Sequence, residues 1–340
     1  MDDNDTELPT QYTTQLDSPI TITLLWPRSL KMTINKVFIT GVAGMLGSAV
    51  YPYFHSRFPQ VLATDKRATE SWVQFLDVTN HSDVNVAIQR FQPDLILHLA
   101  AETNLEFCEL HPYQAAQTNA EATRNIAGIA NDCGATLVYI STAGVFDGTK
   151  DGFYDERDKP NPIMVYGQTK YDGELFVQEL CKKYYIIRAG WMVGGGQKDH
   201  KFVSKILEQI MNNESTIHAV NDRWGTPTYT LDFAVNLFRL LDLEAYGLYH
   251  MVCEGSGTRF DVAKEIVRIC GRHDIDLRGV DSDFFSETYF APRPRSEMMT
   301  NENLRALSIN FMRPWKTALE DYIIREFPMA MSTYPAVQTV

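Results

Sequence analysis

The chain has no apolar run long enough to cross a bilayer as a helix. The longest candidate near the start, ITITLLW at 20–26, is far too short. It follows the acidic, Thr-rich opening MDDNDTELPTQYTTQLD rather than a basic segment, which argues against a secretory signal. The chain is also poor in positive charge. Thirty-one Lys and Arg stand against 43 Asp and Glu, a formal net charge of −12, and this excludes a general binder of the nucleic-acid backbone. Cysteine is sparse and scattered. Cys108, Cys133, Cys181, Cys253 and Cys270 make no C-x-x-C pair and no His–Cys metal spacing. That is the pattern of reduced thiols packed as small apolar residues in a cytoplasmic protein, and no metal site is expected. No internal repeat and no low-complexity segment interrupts the 340 residues.

What is present is alternation. KVFIT (36–40), VLATD (61–65), DLILHLA (94–100), TLVYIS (136–141) and YYIIRAG (184–190) read as strands, and helical stretches separate them. Continuous apolar strands spaced by helices predict an α/β fold, a doubly wound parallel sheet covered on both faces. Past about residue 190 the pattern loosens. Gly194-Gly195-Gly196 reads as a flexible break and NDRWGTPTYT as a loop, while KFVSKILEQIM, LDFAVNLFRLL and FDVAKEIVRIC have helical apolar spacing. The expected organisation is a flexible N-terminal extension over 1–33, with Met32 a natural start for the domain, and a nucleotide-binding domain over 34–190. A smaller substrate-binding lobe follows over 191–325, some of whose segments return to the sheet, and a tail runs over 326–340. The lobe belongs over the C-terminal edge of the sheet, where doubly wound folds bind ligands.

ITGVAGMLG places Gly41, Gly44 and Gly47 directly after a strand and at the opening of a helix, with Met45 and Leu46 between the last two. Glycines there permit a tight turn and close approach of backbone to a pyrophosphate at the helix N-terminus. A plain β–α turn would use the same residues, so context decides. Asp65 ends the second strand, 18 residues after Gly47, where a carboxylate can bind an adenosine ribose. Lys66 and Arg67 follow at once and could hold a 2′-phosphate instead, so both NADPH and NADH remain open as the cofactor. In LDV, Asp77 can meet the adenine amino group, with Val78 beside it. HLAAET ends a strand with the small Ala100 and Ala101 before Thr103, where bulk would block a nucleotide, although simple strand-end packing explains the alanines equally. His98, on an apolar strand, reads as a satisfied core histidine.

YISTAGVF puts Ser141 and Thr142 at the end of another strand, and Tyr166 follows Thr142 by 24 residues. Lys170 lies one helical turn beyond Tyr166, on the same face. A free phenol titrates near 10 and is a poor acid–base group at neutrality. A neighbouring Lys charge favours the phenolate and is expected to bring Tyr166 toward working pH. With Thr142 bonding the substrate oxygen, hydride and proton reach a carbonyl from separate donors, the requirement for reducing a ketone to an alcohol.

GVAGMLG, HLAAET, YISTAGVFDG, PxxxYGQTKYDGE, IIRAGWMVGG, NDRWGTPTYTLDFA, GLYHMVCEG and APRPRSE occur in this order from about Lys36 to Ile323. Together they resemble the extended short-chain dehydrogenase/reductases, and among them the dTDP-4-dehydrorhamnose reductases. The resemblance implies a Rossmann-type sheet and reduction of the C4 ketone of a nucleotide-diphospho-4-dehydro-6-deoxysugar, most closely dTDP-4-dehydro-L-rhamnose. It makes Thr142, Tyr166 and Lys170 the catalytic set, puts Trp191 on the sugar, and assigns Asn119 to the polar network supporting the cofactor. It also lines the substrate side with Ala143, Gly225, Pro227, Thr228 and Arg293, the last a diphosphate or sugar contact suited to phosphate oxygens. A homodimer is compatible with it.

Three positions depart from the family pattern. An Asp-Tyr pair usual after the Thr is Ala143-Gly144, the usual R-P-x-N-S is Arg293-Pro294-Arg295-Ser296-Glu297, and a Glu used by some relatives to dimerise around Mg²⁺ is Ala49. Two of these fall in sugar-contacting regions and leave the sugar and nucleotide open. A 4,6-dehydratase needs an acid–base pair that Ala143-Gly144 does not supply. A sugar-nucleotide 4-epimerase needs none and remains an alternative. So does a non-catalytic, NADP-binding regulatory subunit resembling the methionine adenosyltransferase β subunit.

Overall fold

The computed structural model describes residues 34–331 except Thr69. The expected N-terminal extension and residues 332–340 of the expected tail lie outside the described residues. Seven parallel strands form the main sheet. Six are β1 (Lys36–Thr40), β2 (Gln60–Asp65), β3 (Gln74–Phe75), β4 (Leu95–His98), β5 (Thr136–Thr142) and β6 (Tyr184–Ala189), and the seventh is Gly247–Met251. From one edge the order runs β3, β2, β1, β4, β5, β6 and then the Gly247–Met251 strand. Every pairing in it is parallel, with Ile39 beside Ala63 on one side and Leu97 on the other. Such strands are buried on both faces, which is why LILH and TLVYIS carry unbroken apolar runs. Phe38, Ile96, Leu137 and Ile186 from the sheet pack with Val84, Ile88, Ile126 and Val177 from helices His81–Phe91, Ala122–Cys133 and Val165–Leu180.

The helices end for identifiable local reasons. Asn80 caps His81–Phe91 by accepting from the Asp83 amide, and Ala122–Cys133 stops at Gly134 with φ +75. The strand order reverses between β1 and β4, so connections leave this pair in opposite directions and open a crevice at their C-terminal ends. Gly41 and Ala100 meet at that crevice.

Beyond β6 the chain is more ordered than the sequence suggested. NDRWGTPTYT is not a loop: it holds two short strands, Trp224–Gly225 and Pro227–Tyr229, the latter parallel to Trp191–Val193. Gly194, Gly195 and Gly196 are not a flexible break either. All three have positive φ, and added Cβ atoms would collide with Thr230, approach Met45 and strike Glu326 respectively. They are glycine because three elements converge there. The expected tail from 326 is helical at Pro328–Met331.

Candidate active site

The glycine turn follows from close packing at the switch point. Gly41 has φ +72, and a Cβ there would lie 2.4 Å from the Ala100 amide nitrogen; at Gly47 it would lie 2.4 Å from the Val42 carbonyl oxygen. Gly44 has more room, its built Cβ lying 3.4 Å from the Gly41 oxygen. Gly44 is also the N-cap of helix Met45–His55, which has no side-chain cap and no acidic residue in its first turn. The amides of Met45 and Leu46 therefore open a helix N-terminus toward the crevice, a cradle that fits a dinucleotide pyrophosphate. We expect Gly41→Ala to lower Tm and to weaken NADPH binding at least tenfold, because it forces a strained φ and a backbone clash at once. Gly128→Ala is the contrasting variant: its added Cβ meets nothing within 4 Å, and a helical Gly→Ala there should raise Tm. Melting curves with a fluorescence titration check both, and equal behaviour of the two variants would contradict the packing argument.

The residues expected around the cofactor separate into two groups. Lys66 and Arg67 are exposed at the tip of β2. Asp65 is turned inward, accepting from the amides of Ala43 at 3.0 Å and Arg67 at 2.8 Å, so its carboxylate braces the glycine turn. Asp77 accepts from the Thr79 amide and hydroxyl, Val78 is buried, and Thr103 is exposed beyond the half-buried Ala101. His98 is a satisfied core residue, bonded to Thr40 at 2.8 Å and Thr123 at 3.1 Å, and burial lowers its pKa to about 3. Asn119 lies in a π-helical stretch, Gln117–Glu121, with its amide fully engaged. Its Oδ1 accepts from the Glu102 amide, while Nδ2 donates to the Glu102 oxygen and to Thr169 Oγ1. It clamps the β4 edge to the helix bearing Tyr166.

Thr142 ends β5, its hydroxyl accepting from the Gly144 amide at 3.1 Å, and Tyr166 and Lys170 rise from the first turns of Val165–Leu180, with the Thr142 hydroxyl close enough to the phenol to act on it. The three residues selected by spacing are thus brought together. Their electrostatics differ from expectation. Lys170 does not pull the phenol down: burial dominates and raises Tyr166 above its ordinary value, with Thr142 opposing. Burial also lowers Lys170 to about 7, against the pull of Glu174. Desolvation outweighs the pairwise charge here because Lys170 is only 2% exposed. Its Nζ lies 4.1 Å above the Tyr139 ring and has no hydrogen-bond partner among the described residues. The consequence is a neutral phenol with a proton to give, one helical turn from an amine that no described residue accepts from.

Residues that sequence reasoning did not single out hold this pair in place. Tyr139 on β5 donates to the Asn119 and Lys170 carbonyls, and Gly173 is glycine because a Cβ would come within 2.3 Å of the Tyr139 hydroxyl. One turn past Lys170, Glu174 is buried and forms a bidentate pair with Arg188 at 2.9 and 2.7 Å while accepting from Ser141. The glycine inside YDGE was the available signal for the first. For Arg188, an arginine in the middle of an apolar strand was the signal for a buried partner.

On the substrate side, several assignments are corrected. Ala143 is 1% exposed and packs with Val145, Phe146 and Tyr154, and a Cβ on Gly144 would meet Met164 at 2.6 Å. That pair is core, not a sugar contact. Pro227 and Thr228 are buried and build the strand beside Trp191. Gly225 abuts the indole, leaving no room for a side chain. Trp191 donates from Nε1 to Glu297 at 2.7 Å, and its ring carries the Arg259 guanidinium at 3.7 Å. Arg293 is not free for a diphosphate: Glu106 holds it at 2.6 Å, and it donates to the Tyr289 and Ala291 oxygens. No cluster able to hold a metal occurs among the described residues, and none of the described helices is long and apolar enough to span a membrane.

A parallel sheet in this order, a glycine cradle at its switch point and a Thr–Tyr–Lys set at the next strand end define an NAD(P)-binding oxidoreductase fold of the short-chain dehydrogenase/reductase type. Residues 35–327 match the RmlD substrate binding domain family, and the chain belongs to that family, the dTDP-4-dehydrorhamnose reductase group. It is 31% identical over 288 residues to a dTDP-4-keto-6-deoxy-D-glucose reductase of Streptomyces niveus, covering 84% of this chain and 95% of the relative. It is also 30% identical over 294 residues to methionine adenosyltransferase 2 subunit beta of Mus musculus, 84% and 86% of the two chains. Among solved structures, it resembles a dTDP-4-dehydrorhamnose reductase of Bacillus anthracis in complex with NADP. That pair has TM-score 0.78 and 33% identity, covering 86% of this chain and 99% of the other. A UDP-glucose 4-epimerase of Thermus thermophilus, at 18% identity and TM-score 0.71, shares the fold.

Proposed function

We propose that this protein reduces the C4 ketone of a nucleotide-diphospho-4-dehydro-6-deoxysugar, most closely dTDP-4-dehydro-L-rhamnose, with NADPH or NADH as reductant. The observation that carries the reading is the juxtaposition of Thr142, Tyr166 and Lys170 beside the glycine cradle. The reductases among its relatives support it. The reduced nicotinamide supplies hydride when bound. Gly41, Met45, Leu46 and Gly47 would hold its pyrophosphate, Ala100 and Ala101 would leave room for it past the end of β4, and Lys170 would bind its ribose. Lys66 and Arg67, exposed beside an inward-turned Asp65, favour a 2′-phosphate and hence NADPH. Thr142 positions the ketone oxygen. Tyr166, kept protonated by burial, gives its proton to that oxygen as charge develops there, and the Lys170 charge stabilises the phenolate left behind.

The test supplies dTDP-4-dehydro-L-rhamnose and its UDP and GDP counterparts to the purified chain, with NADPH and NADH in separate assays. Loss of reduced-nicotinamide absorbance, faster with NADPH, is the expected result. Tightly bound NAD⁺ with turnover in the absence of reductant would instead identify an epimerase. The likeness to the adenosyltransferase β subunit, equal in extent to that of the reductases, favours a second reading, an NADP-binding regulatory subunit. Failure to oxidise either cofactor with every sugar, together with co-purification of an adenosyltransferase, would select it.

A further inference from the structure

In the substrate lobe, Arg259 is a half-buried guanidinium without an ion-paired carboxylate among the described residues. Arg259 is the first residue of helix Arg259–Ile269, and a capping box between Thr258 and Asp261 fixes its backbone. Its Cζ lies 3.7 Å from the centre of the Trp191 ring and 5.2 Å from that of Phe202. It makes no hydrogen bond and no ion pair among the described residues. The nearby carboxylates do not neutralise it by contact. Glu297 is bonded to the Trp191 indole, and Asp199 accepts from the Lys201 amide at 2.8 Å and from Tyr322 at 3.3 Å. Two further cations stand close enough to act on Arg259 or be acted on by it, Lys201 and Arg293, and Arg293 is already held by Glu106.

Stacking on an indole occupies the face of a guanidinium and leaves its edge of N–H donors free in the ring plane. That edge matches two oxygens of a phosphate. A half-buried guanidinium with unpaired donors is costly unless an anion completes it. Position agrees with chemistry. Glu297 binds the Trp191 edge and stands close enough to Tyr166 for its charge to act on the phenol, so Trp191, with Arg259 on its ring, lies in the neighbourhood of Tyr166. A nucleotide sugar with its C4 oxygen at Tyr166 presents its ring next and its diphosphate after that.

We propose that Arg259, held against the Trp191 ring, binds the diphosphate of the nucleotide-sugar substrate, in place of the sequence-expected Arg293. This rests on the reductase reading of the site. It also gives Trp191 a different task, as a platform orienting a cation.

The experiment titrates dTDP, UDP, GDP and thymidine into the full chain by calorimetry and measures KM and kcat with the 4-keto sugar nucleotide. Three forms are compared: the unaltered protein, Arg259→Met and Arg259→Lys. Loss of a bidentate charged contact should weaken nucleoside diphosphate binding and raise KM by about 10- to 100-fold in Arg259→Met. Arg259→Lys, which keeps charge without the flat fork, should fall between, and thymidine binding should not change. The rise in KM should exceed the fall in kcat. A diphosphate affinity unaltered in a folded Arg259→Met protein overturns the assignment and leaves the reductase reading standing. An unaltered chain that binds no nucleoside diphosphate overturns both.

Discussion

Tyr166→Phe is expected to lower kcat by about 10²- to 10⁴-fold, the span attributable to a positioned acid, while NADPH binds within about twofold of the unaltered protein. Burial raises the pKa of the phenol against the opposing influence of Thr142, so it enters the reaction protonated. That state suits the reductive direction, in which the ketone oxygen turns into an alkoxide far more basic than a phenolate. The ring itself contributes packing that Phe retains, so the melting temperature should change little. Stopped-flow turnover on saturating 4-keto sugar, with a separate NADPH titration, reads both quantities. A Phe variant with undiminished kcat would remove Tyr166 from the mechanism, and with it the role assigned to Lys170.

The largest effect on stability is expected one turn further along the same helix. Glu174 and Arg188 have side chains 1% and 2% exposed, joined by two hydrogen bonds. Removing one partner strands a charge in the interior, so Arg188→Met should cost about 3–5 kcal/mol. The double variant Glu174→Leu/Arg188→Met removes both charges and should recover most of that loss, since such pairs barely outweigh their own desolvation. The pair has a directional consequence for its neighbours. His250 faces Arg188 across the two strands, and burial followed by the Arg188 charge lowers its pKa to about 3. Losing Arg188 removes that repulsion and should move His250 upward. Glu174 holds Lys170 up against burial, so the double variant should also make Lys170 harder to protonate and should lose activity despite regaining stability. Urea unfolding of the single and double variants, read with activity, checks the scheme. A double variant no more stable than Arg188→Met would contradict it.

Much of the cofactor side was legible because it is local. Gly41 and Gly47 sit within one strand–turn–helix unit, which makes their spacing readable; Gly47 is glycine because of Val42 inside that unit, whereas Gly41 is glycine because Leu99 and Ala100, past the end of β4, press on it. Thr142, Tyr166 and Lys170 were legible for a related reason: one closes a strand and two share a helical face, so spacing alone constrains where they point. His98 read correctly as core because an apolar strand buried on both faces leaves a polar residue no role except a satisfied one. The substrate side was not legible. Ala143 sits beside the catalytic Thr142 in sequence, yet adjacent residues at a strand end point to opposite faces, and its own faces the core. Arg293 carries the right chemistry for a phosphate, but its availability depends on Glu106, 187 residues away.

The amino-acid sequence by itself determined the parallel sheet, the place of the glycine cradle, and which hydroxyl, phenol and amine stand together, since each follows from periodicities within a few tens of residues. Only the tertiary structure decided the directions in which Tyr166 and Lys170 are shifted, the placing of Ala143 in the core, and the engagement of Arg293 by Glu106 while Arg259 stays without an ion pair among the described residues. Those outcomes depend on burial and on which distant carboxylate reaches which cation first. Desolvation and long-range pairing are set by how the lobe folds over the sheet, and no local spacing encodes them.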